Sequence, residues 1–472
     1  MNRMIIDGVV CEFDSERNVL EVARRNHIDI PSLCYCDKLP AAYGGCRLCV
    51  VETERGSVEA ACTLVPQDGM TVRTNTARLR KHRQMILELL LAGHRAECAV
   101  CEKSDDCRLR QYASRYGVRT VRFNNDFNKG DIDTSSPALV FDPSKCILCG
   151  KCVGICSEVQ NVHAIDFAGR GVSTHITRGF GKKFSETECV SCGQCAASCP
   201  TAALVIKNEV SSMWKALHNS RTSVAVQVSP AAAVAIGQKF GLPKDVPCMG
   251  KVISAIRMLG ADYVFNGAAG YVLFAEKQAR ELKARISEGK ALPLISSACP
   301  AAVKRIETHY PGLSSHLSEC ASPMALLGAE LKNIYSDEEL YSVAVEPCTA
   351  AKAEIKRPDF EIFGEKPVDL VITTVELYAM IKEAGIDFAR LPDSSPDGDL
   401  AVTESAERAV FSGGIANMLA GSGEFTAASC SGLKDADAVL AEVLSGNCSY
   451  DYLDLDACPG SCVKGGGQPS RE

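Results

Sequence analysis

Two runs of the form C-x2-C-x2-C-x3-C, Cys146/Cys149/Cys152/Cys156 and Cys189/Cys192/Cys195/Cys199, constrain this chain more than any other feature. The second run closes on Cys199-Pro200, and together they form an internal repeat. Thiols spaced this tightly suit a polynuclear metal centre better than a packed core. The chain carries 25 cysteines in 472 residues, which a secreted disulfide framework could also explain. However, Met1 to Val10 has no apolar signal core, and no uninterrupted apolar run of about 18 residues could span a membrane. Metal binding and a cytoplasmic location are therefore expected. Nineteen cysteines fall into five metal-type groups, while Cys11, Cys36, Cys248, Cys320, Cys430 and Cys448 read as small buried hydrophobes.

The length allows several domains, one of them with a large core. A net charge of -7 and a single Trp exclude a basic, stacking nucleic-acid surface. Residues 1–78 open with a hairpin-like pattern, Met4-Ile5-Ile6 and Val9-Val10, and then carry Cys34, Cys46, Cys49 and Cys62. Around Ala42-Tyr-Gly-Gly-Cys46-Arg-Leu-Cys49, small residues leave backbone amides free for cluster sulfides. From 79 to 125 a helix is predicted with Met85, Ile86, Leu89 and Leu90 on its apolar face, delivering His94, Cys98, Cys101 and Cys107. Zinc shares both ligand sets and stays open as an alternative at this point. A polar stretch, Asn124 to Pro137, leads into the Cys repeat of 126–209.

From 210 to 472 the pattern changes to short, wholly apolar strands followed by helices. Strands are predicted at Val224–Val228, Tyr263–Phe265, Leu292–Ile295, Tyr341–Val345 and Asp369–Ile372, with helices at Pro300–Tyr310, Ala350–Ile355 and Val375–Ala384. Such alternation argues for parallel sheets flanked by helices, with ligands gathering where strands end and helices begin. Cys299 and Cys348 occupy that position, and Cys458 and Cys462 complete a candidate set of four ahead of a glycine-rich tail.

The first module resembles the plant-type [2Fe-2S] ferredoxins of respiratory complex I subunits and many hydrogenases, which implies a β-grasp fold. The H-x3-C-x2-C-x5-C run resembles their His/Cys3 [4Fe-4S] site, and the repeat resembles a bacterial 2[4Fe-4S] ferredoxin. That last likeness implies crossed ligation, with Cys199 joining Cys146, Cys149 and Cys152, and Cys156 joining Cys189, Cys192 and Cys195. Over nearly its full length the chain resembles an [FeFe]-hydrogenase. The implied fold class is α+β multidomain, ending in an α/β H-cluster domain.

In that family an H-cluster joins a [4Fe-4S] cubane to a two-iron subsite bearing CO, cyanide and a bridging dithiolate amine. Cys299, Cys348, Cys458 and Cys462 match the cubane ligands, with Cys462 bridging to the two irons. Ser229 and Pro230 of Gln227-Val-Ser-Pro230, Pro347, and Gln468 of Gly465–Pro469 match positions facing the subsite, and Ser412-Gly413-Gly414-Ile415 matches a Gly-Gly loop. Ser318 stands where a proton-path serine is expected, with Glu276 a candidate carboxylate of that path.

The departures fall on functional positions. Ala298 replaces the Cys that passes protons to the bridging amine, and Ala351 replaces the lysine that holds a cyanide. Lys352 is about 100 degrees away around a helix. Glu346 and Asp456 stand where methionines commonly lie.

The resemblance implies one [2Fe-2S], three accessory [4Fe-4S] clusters and the H-cluster, with reversible H2 oxidation that is slow or sensory. Its implied partners are ferredoxin or redox subunits, flavoprotein or NAD-linked ones among them, and the maturation enzymes of the two-iron subsite. The alternative is an electron-transfer subunit that holds only the cubane.

Overall fold

The computed structural model describes residues 2–123, 130–243, 246–421 and 423–469, so part of the polar stretch Asn124 to Pro137 lies outside the described residues. Its first sheet has the order β2-β1-β5-β3-β4, from β1 (Asn2–Ile6), β2 (Val9–Phe13), β3 (Val50–Thr53), β4 (Val58–Ala60) and β5 (Thr71–Arg73). The predicted hairpin forms, pairing Ile5 with Val10 across Asp7-Gly8. Both turn residues have positive φ (53° and 84°), the twist a two-residue hairpin needs. Helix α1 (Val19–Arg25), capped by Asn18, closes this small core over Met4, Ile6, Val51 and Val72.

Helix α2 (Ala77–Ala92) starts at the Thr76 cap and corrects half of the predicted apolar face, for Ile86 and Leu90 pack on the core while Met85 and Leu89 do not. Leu79, Arg83 and Leu87 are buried, whereas Met85 and Leu89 are 49% and 50% exposed. The reason is tertiary. The Arg83 guanidinium donates to the carbonyls of Leu48 (3.3 Å) and Val50 (2.7 Å), which turns that side of the helix inward. The short strands β6 (Leu139–Phe141), β7 (Asp166–Ala168), β8 (His175–Thr177) and β9 (Leu204–Ile206) pair as β6-β9 and β7-β8 around the Cys repeat.

The C-terminal region is built on β10 (Ser223–Val228), β11 (Tyr263–Asn266), β12 (Leu294–Ile295), β13 (Leu340–Glu346), β14 (Leu370–Thr373), β15 (Ala427–Ser431) and β16 (Tyr452–Asp456). They form two parallel sheets, ordered β11-β10-β13-β14 and β12-β16-β15. Helices Pro230–Lys239, Pro300–His309 and Pro323–Ile334 each begin with Pro at the first turn, where its missing N–H goes unmissed. The predicted strand-to-helix transitions at Cys299 and Cys348 are therefore present.

Buried tethers join this region to the Cys-repeat module. Lys352 Nζ donates to Glu376 Oε1 and to the Lys207 carbonyl, both at 2.7 Å, and Glu376 accepts from the Glu209 amide at 2.6 Å. Nearby, Gln194 Nε2 donates to the Lys464 carbonyl (2.8 Å) and Thr349 Oγ1 to the Ser191 carbonyl (2.6 Å).

Candidate functional site

Cys34, Cys46, Cys49 and Cys62 are all buried in one group. Cys34 hydrogen-bonds Cys46 and Cys62, and Cys62 also bonds Cys49. Sharing of these protons pushes the Cys34 and Cys49 thiols down and those of Cys46 and Cys62 up. Four thiols this close together are the ligand set an iron-sulfur centre takes up as thiolates. The loop is also close-packed against the next module, since a Cβ on Gly45 would lie 3.2 Å from the Leu148 carbonyl.

Cys98, Cys101 and Cys107 lie within electrostatic reach of one another, and burial raises the Cys107 thiol. His94 places Nδ1 2.9 Å from the Lys145 carbonyl. With Nδ1–H donating there, Nε2 keeps its lone pair free for a metal. Burial lowers the His94 pKa, which favours that neutral form. The Lys145 carbonyl also accepts from Thr201 Oγ1 (2.8 Å), and Lys103 Nζ reaches the Cys199 carbonyl (2.5 Å), so this module is stitched to the repeat.

The repeat encloses two small cavities. One is lined by Cys146, Cys149, Cys152 and Cys199 with Phe141 and Ile176, the other by Cys156, Cys189, Cys192 and Cys195 with Leu139 and Phe184. The structure thus brings the thiols together in the crossed sets. Gly150 and Gly193 hold φ of 76° and 72° ahead of the short helices that carry Cys152 and Cys195.

Cys299, Cys348, Cys458 and Cys462 converge from three separate segments. The Ala457 amide lies 3.4 Å from Cys299 Sγ. Burial first, and the neighbouring thiols second, raise Cys348; burial and then Asp456 raise Cys299 to about 12 and Cys462 upward. Thiols that disfavour ionisation in one another's company can become thiolates together only where positively charged iron offsets their charge. Cys192 stands beside Cys458, so the second cavity of the repeat abuts this pocket.

The tail closes it without side chains. A Cβ on Gly465 would fall 2.2 Å from the Pro347 carbonyl, and one on Gly466 2.2 Å from that of Cys192. The Pro347 carbonyl accepts from the Gly467 amide (2.8 Å). Pro230 begins its helix behind Ser229, and Gly413 caps the helix Gly414–Ala420. Ser229 Oγ and Gln468 Oε1 are buried with no hydrogen-bond partner, although Gln468 Nε2 donates to the Ala231 carbonyl (2.9 Å). These orphaned buried polar atoms belong to the segments that pack on the thiol-bearing ones, the Ser229 amide donating to the Val345 carbonyl (3.0 Å) and that of Gln468 to the Gly465 carbonyl (3.1 Å), and they fit a bound group with hydrogen-bonding atoms of its own.

Three further features concern the departures. Lys352 is committed to Glu376 and Lys207, away from the thiols, and Ala351 is packed among Met324, Ala325 and Ala344. Burial, then Glu354, raises Glu346 to about 8, and burial raises Asp456 to about 6. Tyr271 stands among Cys462, Glu346, Asp456 and Asp454, and burial drives its pKa well upward. Sequence reasoning missed Tyr271 and Asp454.

It also missed a polar ladder. Gln278 Nε2 donates to Ser318 Oγ (2.6 Å), Ser318 Oγ to Glu281 Oε2 (2.5 Å), and Arg285 Nη2 to Glu281 Oε1 (2.8 Å). Glu276 is not in it but pairs with Arg280 on the exposed side at 3.8 Å. The spacing of Tyr271, Gln278, Glu281 and Arg285 along one face of helix Ala268–Glu288 was the available signal. Glu281 and Ser318 line a surface cleft with Ser297 and Cys320, and Ser297 Oγ donates to the Cys320 carbonyl (2.6 Å) next to Ala298.

Serial thiol-lined centres leading to a closed four-thiol pocket define an iron-sulfur oxidoreductase. Models of four families match in order: a 2Fe-2S iron-sulfur cluster binding domain at 3–77, the NADH-ubiquinone oxidoreductase-G iron-sulfur binding region at 83–122, a 4Fe-4S dicluster domain at 145–203, and the iron only hydrogenase large subunit, C-terminal domain, at 222–466. The NADP-reducing hydrogenase subunit HndD of Solidesulfovibrio fructosivorans is 32% identical over 99% of this chain and 89% of its own length. Iron hydrogenase 1 of Clostridium pasteurianum is 31% identical over the same shares. The mitochondrial NADH-ubiquinone oxidoreductase 78 kDa subunit of Candida albicans is 31% identical over 43% of this chain and 28% of its own. The chain belongs to the iron-only hydrogenase family. Its described residues contain no helix long and apolar enough to cross a membrane.

Proposed function

We propose that this chain interconverts H2 with protons and electrons, slowly, at a two-iron subsite attached to a cubane held by Cys299, Cys348, Cys458 and Cys462, with Cys462 as the bridge. The supporting observation is the convergence of these four thiols in one buried pocket, with the buried Ser229 Oγ and Gln468 Oε1 left without hydrogen-bond partners on flanking segments. When bound, the two-iron group supplies the metal centre at which H2 is cleaved or made. The chain's own residues do the rest. Ser229 and Gln468 offer hydrogen bonds to its ligands, and the glycine tail excludes water. Glu281 and Ser318 can pass a proton inward from the cleft, but the Gln278 amide that donates to Ser318 Oγ, like the methyl group of Ala298, can neither accept nor release it. Slow turnover of this kind suits a protein that reports H2.

The working division is 1–78, 79–125, 126–209 and 210–472. Cys156, Cys189, Cys192 and Cys195 would hold one [4Fe-4S] cluster and Cys146, Cys149, Cys152 and Cys199 another, and Cys192, which stands beside Cys458, would put the former next to the pocket, where the pair would supply electron transfer. Cys34, Cys46, Cys49 and Cys62 would hold the [2Fe-2S] cluster and His94, Cys98, Cys101 and Cys107 a further [4Fe-4S], which would supply electron exchange with ferredoxin or a redox partner subunit.

A second reading, a cubane-only electron-transfer subunit, is favoured by the carboxyls of Glu346 and Asp456 in the pocket. Infrared spectra of the anaerobic, cluster-reconstituted protein after addition of a synthetic two-iron mimic separate the two. Bands of CO and cyanide that shift under H2 are expected; a full set of iron-sulfur clusters without such bands assigns the electron-transfer role.

A further inference from the structure

The outward face of α2 carries an unused interface. Taken at 100° per residue, Arg78, Lys81, His82, Met85 and Leu89 fall within one third of the helix circumference, opposite the buried Leu79, Arg83 and Leu87. All five are exposed. The stripe is basic at its N-terminal end and apolar at its C-terminal end. Nothing in the fold explains the apolar part, since methionine and leucine one turn apart stand half open to water. Nor does the overall charge explain the basic part, because the chain as a whole is acidic at -7 while α2 has four cationic side chains, Arg78, Arg80, Lys81 and Arg83, against one acid, Glu88. Lys81 has no ion-pair partner among the described residues, and Arg78 has an exposed contact with Glu52 at 3.5 Å besides donating to the Gly56 carbonyl at 2.8 Å.

The helix also has a particular location. Its inner face touches the [2Fe-2S] loop through Arg83 and the Leu48 and Val50 carbonyls, and its C-terminal end runs through Gly93 into His94. A protein seated on the outer stripe would therefore lie one helix diameter, about 10 Å, from the cluster loop. We infer that the Arg78/Lys81/His82/Met85/Leu89 stripe of α2 is the docking surface for an acidic electron-carrier protein, which exchanges electrons with the [2Fe-2S] and His94 centres. Basic groups at the rim steer the carrier, and Met85 and Leu89 supply the dry contact that holds it. The inference rests on the electron-entry part of the proposed function and is independent of H2 chemistry.

The test follows cluster reduction in the full-length, cluster-reconstituted chain by stopped-flow absorption, with a purified, reduced acidic bacterial ferredoxin as the probe. Because the readout is cluster bleaching, it does not need the two-iron subsite. Lys81→Glu/His82→Glu should slow the second-order rate about 10-fold or more at low salt and abolish its salt dependence, as expected for lost steering. Met85→Ser/Leu89→Ser should weaken the complex at all salt concentrations. Both variants should be reduced by methyl viologen at the parent rate, which shows that the clusters are intact. Ferredoxin rates equal to the parent's in both variants would overturn the assignment, as would a parent chain that ferredoxin cannot reduce. A parent dimer in sedimentation that Met85→Ser/Leu89→Ser dissociates would also overturn it, by giving the stripe to a second copy of the chain.

Discussion

The cluster-bearing front of the molecule and its C-terminal pocket use the same chemistry with different completeness. In the front, each group of thiols identified by spacing lies in a compact frame, and the surroundings are ordinary: aliphatic walls, left-handed glycines and backbone amides. In the pocket the four thiols are equally well gathered, but the residues around them are altered at Ala298, Glu346, Ala351 and Asp456. Holding a cluster and working at one are thus separable properties of a sequence. The first needs only ligands at set spacing; the second needs neighbours that handle protons and diatomic ligands.

The comparison breaks most completely if the pocket does not depend on its thiols. Cys462→Ala should remove every CO and cyanide band from the infrared spectrum of the loaded protein; retained bands would show that another group holds the two irons. Ala298→Cys should raise H2 turnover by about 10² to 10⁴, the usual contribution of a positioned acid-base group. No gain in a protein that carries the subsite would place the limitation elsewhere, the Gln278 amide in the polar ladder included. At the module border, Glu376→Gln leaves the Lys352 ammonium buried without its counter-charge and should cost about 3–5 kcal/mol in denaturant unfolding. Cys156→Ser should perturb the electron paramagnetic resonance of the cluster next to the pocket and leave that of the Cys146 group unchanged; the reverse would refute the crossed sets.

A further effect concerns pH. Burial, then Asp456, raises the Asp454 carboxyl to about 8, so the folded chain keeps a proton that the unfolded chain loses near pH 4. Stability from this group is complete below about pH 4 and falls as pH rises through about 8. Asp454→Asn should flatten melting temperature over that window, and an unchanged slope would show that Asp454 titrates normally.

Most of the cluster frame was legible because ligand spacing is local: C-x2-C-x2-C-x3-C survives any reading of the intervening loops. The parallel sheets were legible from their wholly apolar strands. The ladder of Gln278, Ser318, Glu281 and Arg285 was not, since it joins a helix to a loop over 30 residues away and each member alone has ordinary polar surroundings. The inward face of α2 was misread for a related reason. Arg83 is buried because carbonyls of another module await it, and no periodicity in the helix itself records them.

The tethers among Lys207, Glu209, Lys352 and Glu376, and from Ser191 and Gln194 to Thr349 and Lys464, bear on how such proteins can be recombined. They make the border near residue 210 a shared interior, and a crossover placed there would graft a foreign backbone onto a lysine and a glutamate that need its carbonyl and amide. Chimeras exchanging the electron-carrying front should therefore keep the Cys repeat with the pocket it serves, and need a front that restores the contacts of His94 with the Lys145 carbonyl and of Lys103 with that of Cys199.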